Sequence, residues 1–265
     1  GVAHTLPKHM LSWLPCSAAA SALCRANPGP CHRLMLRGTD KAAPRHSWRD
    51  VPRSAHRNLM VHASPTRSRP VLLFDVMDTC VADPFHAMPA HFGLDSMTEF
   101  LQSKHPTAWI EFEEGRINEA QLCDKFFQDS RAVDVDALKA MLRVHYEFLP
   151  GMESLLARLA RAGFEAHAFS NYPAWHELIE EKLTLSQHLP WTFLSCTGPM
   201  QGVRKPTPEA YARVVAHLGI PAADLLFIDD RRVNTQAAEA FGIPSILFTG
   251  AAELELQFRQ RGLEF

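Results

Sequence analysis

The 265-residue chain has no apolar run of the length, about 20 residues, that a membrane-spanning helix needs. Its six cysteines (Cys16, Cys24, Cys31, Cys80, Cys123 and Cys196) form no CxxC pair and no Cys/His zinc spacing. A disulfide framework and a structural zinc site are therefore not expected, and reduced thiols in a stroma-like or cytosolic compartment are. Acidic residues are almost missing from residues 1–69, where Asp40 and Asp50 stand against 11 Lys and Arg. The rest of the chain holds 16 basic and 27 acidic residues, a net charge of −11, which argues against nucleic-acid binding. Internal repeats and low-complexity tracts are absent from residues 70–265.

Residues 1–69 are rich in Arg, Ser, Ala, Pro and His. That composition matches an organellar transit peptide, addressed to the chloroplast stroma or alternatively to the mitochondrion; an ordinary disordered basic tail is the simpler reading. A secretory signal fits less well, because Pro15, Cys16 and several Ser interrupt the apolar stretch between Leu11 and Leu23. No fold is assigned to this segment.

From Pro70 onward the pattern becomes regular. Val71-Leu72-Leu73-Phe74, ending on Asp75, is apolar at every position before the Asp and predicts a strand buried on both faces. Over residues 85–149 apolar side chains recur at helical spacing, as at Phe92, Met97, Phe100 and Leu101, then Leu122, Phe126 and Phe127, then Leu138, Met141, Leu142 and Tyr146. This stretch is too long for a loop and predicts a small helical domain, inserted into a core made of residues 70–84 and 150–265. After Pro150-Gly151, helices (152–162, 175–185, 207–218, 234–241 and 254–261) alternate with strands (165–170, 191–196, 225–229 and 245–248). The alternation predicts an α/β fold, a doubly wound parallel sheet with helices on both faces.

Four polar elements follow apolar strands or their loops: Asp75, Ser170-Asn171, Lys205-Pro206 and Asp229-Asp230. Open α/β sheets bind ligands outside the carboxyl ends of their strands, so these groups converge if the first, second and fourth strands are neighbours. Their types suit phosphoryl transfer, which needs charge neutralisation and positioning above all. Mg²⁺ prefers a few carboxylates plus phosphate and water, which Asp75, Asp230 and Asp229 can supply. Lys205 offers a compact cation, Ser170 a hydroxyl donor, and Thr79 a brace for the loop after Asp75. A carboxylate nucleophile would split the reaction through an aspartyl-phosphate. Each element alone is commonplace, as a turn, a cap or a surface pair; their order along the chain is not.

The set resembles the motifs of the haloacid dehalogenase superfamily, and the insertion sits where that superfamily's first type of cap sits. The resemblance implies Asp75 as nucleophile and metal ligand, and Ser170 as phosphate binder. It implies Lys205 as the charge-stabilising lysine, Asp229 and Asp230 as metal-binding acids, and Asn234 as their support. Over most of residues 70–248 the stretches LLFDVMDTCVADPF, KHPTAWIEFEEGRI, HAFSNYPAW, RKPTPEAY and FIDDRRVN resemble the plant plastid flavin mononucleotide hydrolases. That closer resemblance implies a Mg²⁺-dependent release of riboflavin and phosphate from FMN. A sugar-phosphate phosphatase, a dehalogenase and a non-catalytic flavin- or phosphate-binding module are the competing readings. Dehalogenases need no metal, which the Asp229-Asp230 pair argues against.

One part of the superfamily's pattern is missing. Its phosphatases carry a second Asp two residues after the nucleophile, as acid and base; here that position is Met77. The backbone carbonyl of Met77 can still serve as a metal ligand, as the resemblance implies, but its side chain cannot move a proton. Asp78, Glu111, Glu113, His86 and a metal-bound water are the replacements considered. For an isoalloxazine ring, Trp109, Phe112, Tyr172 and Trp175 offer flat apolar faces, with Asn171 beside them; core packing is the plainer reading of such aromatics. The expected ligand is a small phosphate ester, FMN first, with neither nucleic acid nor membrane as partner; the oligomeric state is left open.

Overall fold

The computed structural model describes residues 67–265, so the segment expected to be unstructured over 1–69 lies outside the described residues except for its last three. Those three already belong to the folded part. Arg67 pairs with Glu165 at 2.6 Å, and the Arg69 guanidinium donates to Ala162 O at 2.7 Å while lying over the Phe164 ring. Folded structure thus begins slightly before the boundary expected at residue 70.

Five short strands form one parallel sheet: β1 (Val71–Phe74), β2 (Ala166–Ser170), β3 (Phe193–Leu194), β4 (Leu225–Asp229) and β5 (Ser245–Leu247), in the order β3-β2-β1-β4-β5. Every residue of β1 and β4 is buried, because both faces of the sheet are covered. Leu72, Phe74, Leu226 and Ile228 point into one apolar cluster, and Val71, Leu73, Leu225 and Phe227 into the other. This two-sided burial is why these strands read as continuous rather than alternating apolar runs.

Between β1 and β2 lie α1 (Met88–His91), α2 (Met97–Ser103), α3 (Ala108–Glu113), α4 (Glu119–Lys125), α5 (Val135–His145) and α6 (Met152–Arg161). Local chemistry starts several of them. The Ser96 and Asp134 side chains accept from the third backbone N–H of α2 and α5, and Asn118 with Gln121 forms a reciprocal capping box on α4. Phe92, Phe100, Phe126 and Phe127 pack ring against ring within the insertion. Its buried residues are continuous with those over one sheet face, so insertion and core share a single apolar cluster.

The other helices are α7 (His176–Leu183), α8 (Pro208–Leu218), α9 (Arg232–Phe241) and α10 (Ala251–Gln260). α8 and α9 cover the face opposite the insertion. Gly219 and Gly242 end them with φ of 66° and 104°, a left-handed conformation that glycine adopts without steric cost. Observed elements fall within a few residues of those expected. The third strand is the exception, two residues long at the sheet edge instead of six. No helix among the described residues is long and apolar enough to cross a membrane.

Candidate active site

The chain leaves β1 toward β2 and β3 on one side, then returns to build β4 and β5 on the other. The crevice between β1 and β4 is the point where the strand order reverses, the preferred place for a ligand in an open α/β sheet. Asp75 follows β1 directly and Asp229 ends β4, so two buried carboxylates meet there.

Lys205 lies between them. Its ammonium is 3.0 Å from Asp75 Oδ1 and 2.7 Å from Asp229 Oδ2, with the side chain only 1% exposed. The Phe169 and Phe227 rings wall it in, their centroids 5.0 and 5.1 Å from Nζ. Burial disfavours the Lys205 charge, but Asp229 and Asp75 outweigh it and hold its pKa above the usual range. Asn171 fixes the lysine's backbone from both ends of its amide: Nδ2 donates to Lys205 O at 2.9 Å and Oδ1 accepts from Lys205 N at 2.8 Å. The Asn171 side chain, expected to meet substrate, is thereby committed to holding Lys205.

Asp75 Oδ1 also accepts from Val76 N at 2.8 Å. Desolvation raises the Asp75 pKa more than Lys205 lowers it, and with Asp229 nearby it reaches about 6. Asp229 is held on both oxygens, by Lys205, by Arg231 N at 2.8 Å and by Asn234 Nδ2 at 3.1 and 3.0 Å. Asp230 is half-buried with its pKa pushed up to about 8 by burial and then by the Asp75 and Asp229 charges. One oxygen each from Asp75, Asp229 and Asp230 fall within 4.8 Å of one another. Three carboxylates crowded together, two of them reluctant to ionise, with one lysine among them, fit a divalent cation that prefers hard oxygen ligands.

Thr79 bridges the two strand-end loops, its Oγ1 accepting from Asp230 N at 3.1 Å. Ser170, at the end of β2, is 1% exposed, and among the described residues its Oγ has no hydrogen-bond partner. A buried hydroxyl left unsatisfied is costly, and an anion with oxygens to share would satisfy it. Met77 is half-buried against the apolar cluster.

These motif residues belong to a continuous stretch that matches a known family. The haloacid dehalogenase-like hydrolase model covers residues 72–242. The chain belongs to the haloacid dehalogenase-like hydrolases. It is 47% identical over 201 residues to flavin mononucleotide hydrolase 1, chloroplastic, of Arabidopsis thaliana, an alignment covering 76% of this chain and 80% of the relative. Among solved structures, a haloacid dehalogenase-family enzyme of Bacteroides thetaiotaomicron in complex with magnesium and inorganic phosphate matches with a TM-score of 0.58 at 20% identity, over 72% of this chain and 100% of that one. The L-2-haloacid dehalogenase of Xanthobacter autotrophicus matches with a TM-score of 0.50 at 16% identity, over 74% and 85%. The two structural likenesses carry the fold.

The aromatic residues of this haloacid dehalogenase-like hydrolase lie deeper than a stacking surface would. Trp109, Tyr172 and Trp175 are 3–5% exposed and pack edge-on against one another. Their polar atoms are paired too: Trp109 Nε1 with Glu113 at 2.5 Å, Trp175 Nε1 with Glu119 at 2.5 Å, and the Tyr172 and Tyr146 hydroxyls with each other at 2.5 Å. Core packing thus accounts for Trp109 and Tyr172. Trp175 also lines a cavity of about 330 Å³, with Phe112, Ile117 and Leu178 as apolar walls and Glu119 and Lys139 as polar ones. None of Asp75, Ser170, Lys205, Asp229 and Asp230 lines that cavity.

The insertion is tied to the core beside it. Arg204, next to Lys205, pairs with Glu113 of α3 at 2.6 Å, and Ser195 Oγ donates to Glu113 O at 2.5 Å. Residue type and spacing alone do not single out Arg204 as a link to the site. One further carboxylate escaped the sequence reading. Asp83, in the segment leading into the insertion, has its pKa raised to about 7 by burial first and then by the Asp78, Glu113 and Asp75 charges.

Proposed function

We propose that this hydrolase is a Mg²⁺-dependent phosphomonoesterase that cleaves flavin mononucleotide to riboflavin and phosphate. The arrangement that carries the reading is Asp75 held by a buried lysine in the β1/β4 crevice, with the unpartnered Ser170 hydroxyl on the neighbouring strand. The 47% identity with the Arabidopsis flavin mononucleotide hydrolase supports FMN as the ester.

In this reading Asp75 is the nucleophile. Its carboxylate attacks phosphorus, the ester bond breaks, and an aspartyl-phosphate forms that water then hydrolyses. The Lys205 ammonium neutralises charge on the nucleophile and on the phosphoryl oxygens, and Ser170 donates to one of those oxygens. Asn171 and Asn234 keep Lys205 and Asp229 in place, and Thr79 joins the two loops. Asp75, Asp230 and Asp229, with the Met77 carbonyl, would hold Mg²⁺, which when bound supplies further neutralisation of phosphoryl charge. Residues 85–149 act as the cap, set on a core of residues 70–84 and 150–265. The cavity beside Trp175 is where this reading puts the isoalloxazine ring, since its volume falls in the range of small-molecule sites, about 300–1,000 Å³.

The acid-poor basic segment over residues 1–69 and the chloroplastic relative together favour a plastid, with the stroma as the compartment and the mitochondrion as alternative. The deciding experiment incubates the protein with Mg²⁺ and a panel of phosphate esters including FMN and several sugar phosphates. Phosphate release fastest from FMN is expected. Faster release from a sugar phosphate would reassign the substrate, and release from none would sink the enzyme reading.

A further inference from the structure

We propose that Asp83 is the general acid and base of this reaction, doing from the entrance to the helical insertion what Met77 cannot do beside the nucleophile. The inference rests on the phosphatase reading above. It begins with the path of the chain after β1. Asp78 adopts a left-handed conformation, φ 54°, and its N–H donates to Val81 O at 2.7 Å. The Cys80 and Val81 N–H groups both return to Val76 O, at 2.8 and 2.9 Å. The loop therefore folds back on itself, and Asp83 N reaches Asp78 Oδ1 at 3.1 Å. A residue eight positions beyond the nucleophile is so brought back within the field of its carboxylate.

The Asp83 side chain is held, yet not neutralised. Its Oδ1 accepts from Phe85 N at 3.0 Å, capping the short turn Pro84–Ala87. Among the described residues no Lys, Arg or His pairs with it. The groups coupled to it through charge are Asp75 and Asp78 from the loop after β1, Glu113 from α3, Tyr146 beyond α5 and Tyr172 beyond β2. Burial and three negative charges make its carboxyl hold a proton up to about pH 7, where a group can both give and take one.

The other side chains considered are exposed or already paired. Asp78 is exposed, with Oδ1 on Asp83 N. Glu111 is held by Lys125 at 2.6 Å and Thr107 at 2.7 Å, and Glu113 by Trp109 and Arg204. His86 is exposed.

The steps balance as follows. As Asp75 attacks, the phosphorus–oxygen ester bond breaks, its electron pair goes to the leaving oxygen, and that oxygen takes the Asp83 proton to become the product alcohol. Asp83, now a carboxylate, takes a proton from water as the water oxygen attacks phosphorus. The Asp75–phosphorus bond breaks, and both carboxyl groups return to their starting states.

Asp83→Asn and Asp83→Ser keep an oxygen acceptor for the cap and remove the acid, so either can serve if the other folds poorly. FMN has a poor alkoxide leaving group that needs a proton; p-nitrophenyl phosphate has a good one that does not. Turnover of FMN is expected to fall by about 10²–10⁴-fold. With p-nitrophenyl phosphate the variants should release about one nitrophenolate per chain in a burst and then slow, because the phospho-enzyme forms without an acid and hydrolyses slowly without a base. FMN turnover within tenfold of the wild type would overturn the role of Asp83 and leave the phosphatase reading intact. So would equal losses on both esters with no burst, which is what a structural role predicts. Wild-type protein silent on both esters would overturn both.

Discussion

Replacing Lys205 with Met tests whether one buried cation holds the site together. The substitution keeps the aliphatic stem between Phe169 and Phe227 and removes the ammonium. Asp75 and Asp229, both buried, then face each other without their shared counter-ion. Breaking a buried ion pair from one side costs about 3–5 kcal/mol. At about 2–4 °C per kcal/mol for a domain of this size, the melting temperature should fall by about 6–20 °C. The loss should also depend on pH, with a definite sign. In the folded protein the Asp75 pKa stands at about 6 against an ordinary 3.8, because burial outweighs Lys205. Without Lys205 the folded value climbs further, so the folded state keeps a proton that the unfolded chain has released. Stability then falls as pH rises from the ordinary value through the folded one, and the penalty disappears below that window. Calorimetry of metal-free wild type and Lys205→Met should give the widest gap at about pH 8 and a narrow one at about pH 5. A gap that is absent, or equal at both pH values, would refute Lys205 as the counter-ion of these carboxylates.

Ser170→Ala removes a buried hydroxyl that has no partner to lose, so its melting temperature should match or exceed the wild type, while kcat/KM for a phosphate ester falls roughly 10–150-fold, the equivalent of about 1.5–3 kcal/mol for a hydrogen bond to a charged group. Equal loss of stability and activity would mean the hydroxyl serves the fold. Trp175→Leu should raise KM for FMN and leave p-nitrophenyl phosphate nearly unchanged; parallel changes in both would remove the ring from that cavity. Gly115→Ala should cost about 1–3 kcal/mol by overpacking, since its Cβ would meet Cys196 O at 2.5 Å and its φ is 67°, and a melting curve identical to wild type would contradict the close approach of insertion and core there.

The parallel strands were legible because burial on both sheet faces demands apolar residues throughout, and the helix ends because Gly219 and Gly242 mark left-handed stops. Strand β3 was overestimated because an edge strand is held by one neighbour, β2, and only Phe193 and Leu194 pair with it in ladder register. The insertion was legible as helix, but an apolar stripe does not say what covers it, and its cluster merges with that over the sheet.

By itself the sequence determined the element order, the parallel sheet and the types of group at the strand ends, since each follows from local periodicity and from residues next to one another in the chain. Only the tertiary structure decided how those groups act on each other. The clustering of Asp75, Asp229 and Asp230 around Lys205 depends on β1 and β4 being neighbours, with about 150 residues of chain between them. The commitment of Asn171 to the Lys205 backbone and the unpartnered Ser170 hydroxyl depend on the same packing. Asp83 shows the difference most directly. In the sequence it is one acid among 29, and its proton affinity arises only where burial and the charges of Asp78, Glu113 and Asp75 converge on it.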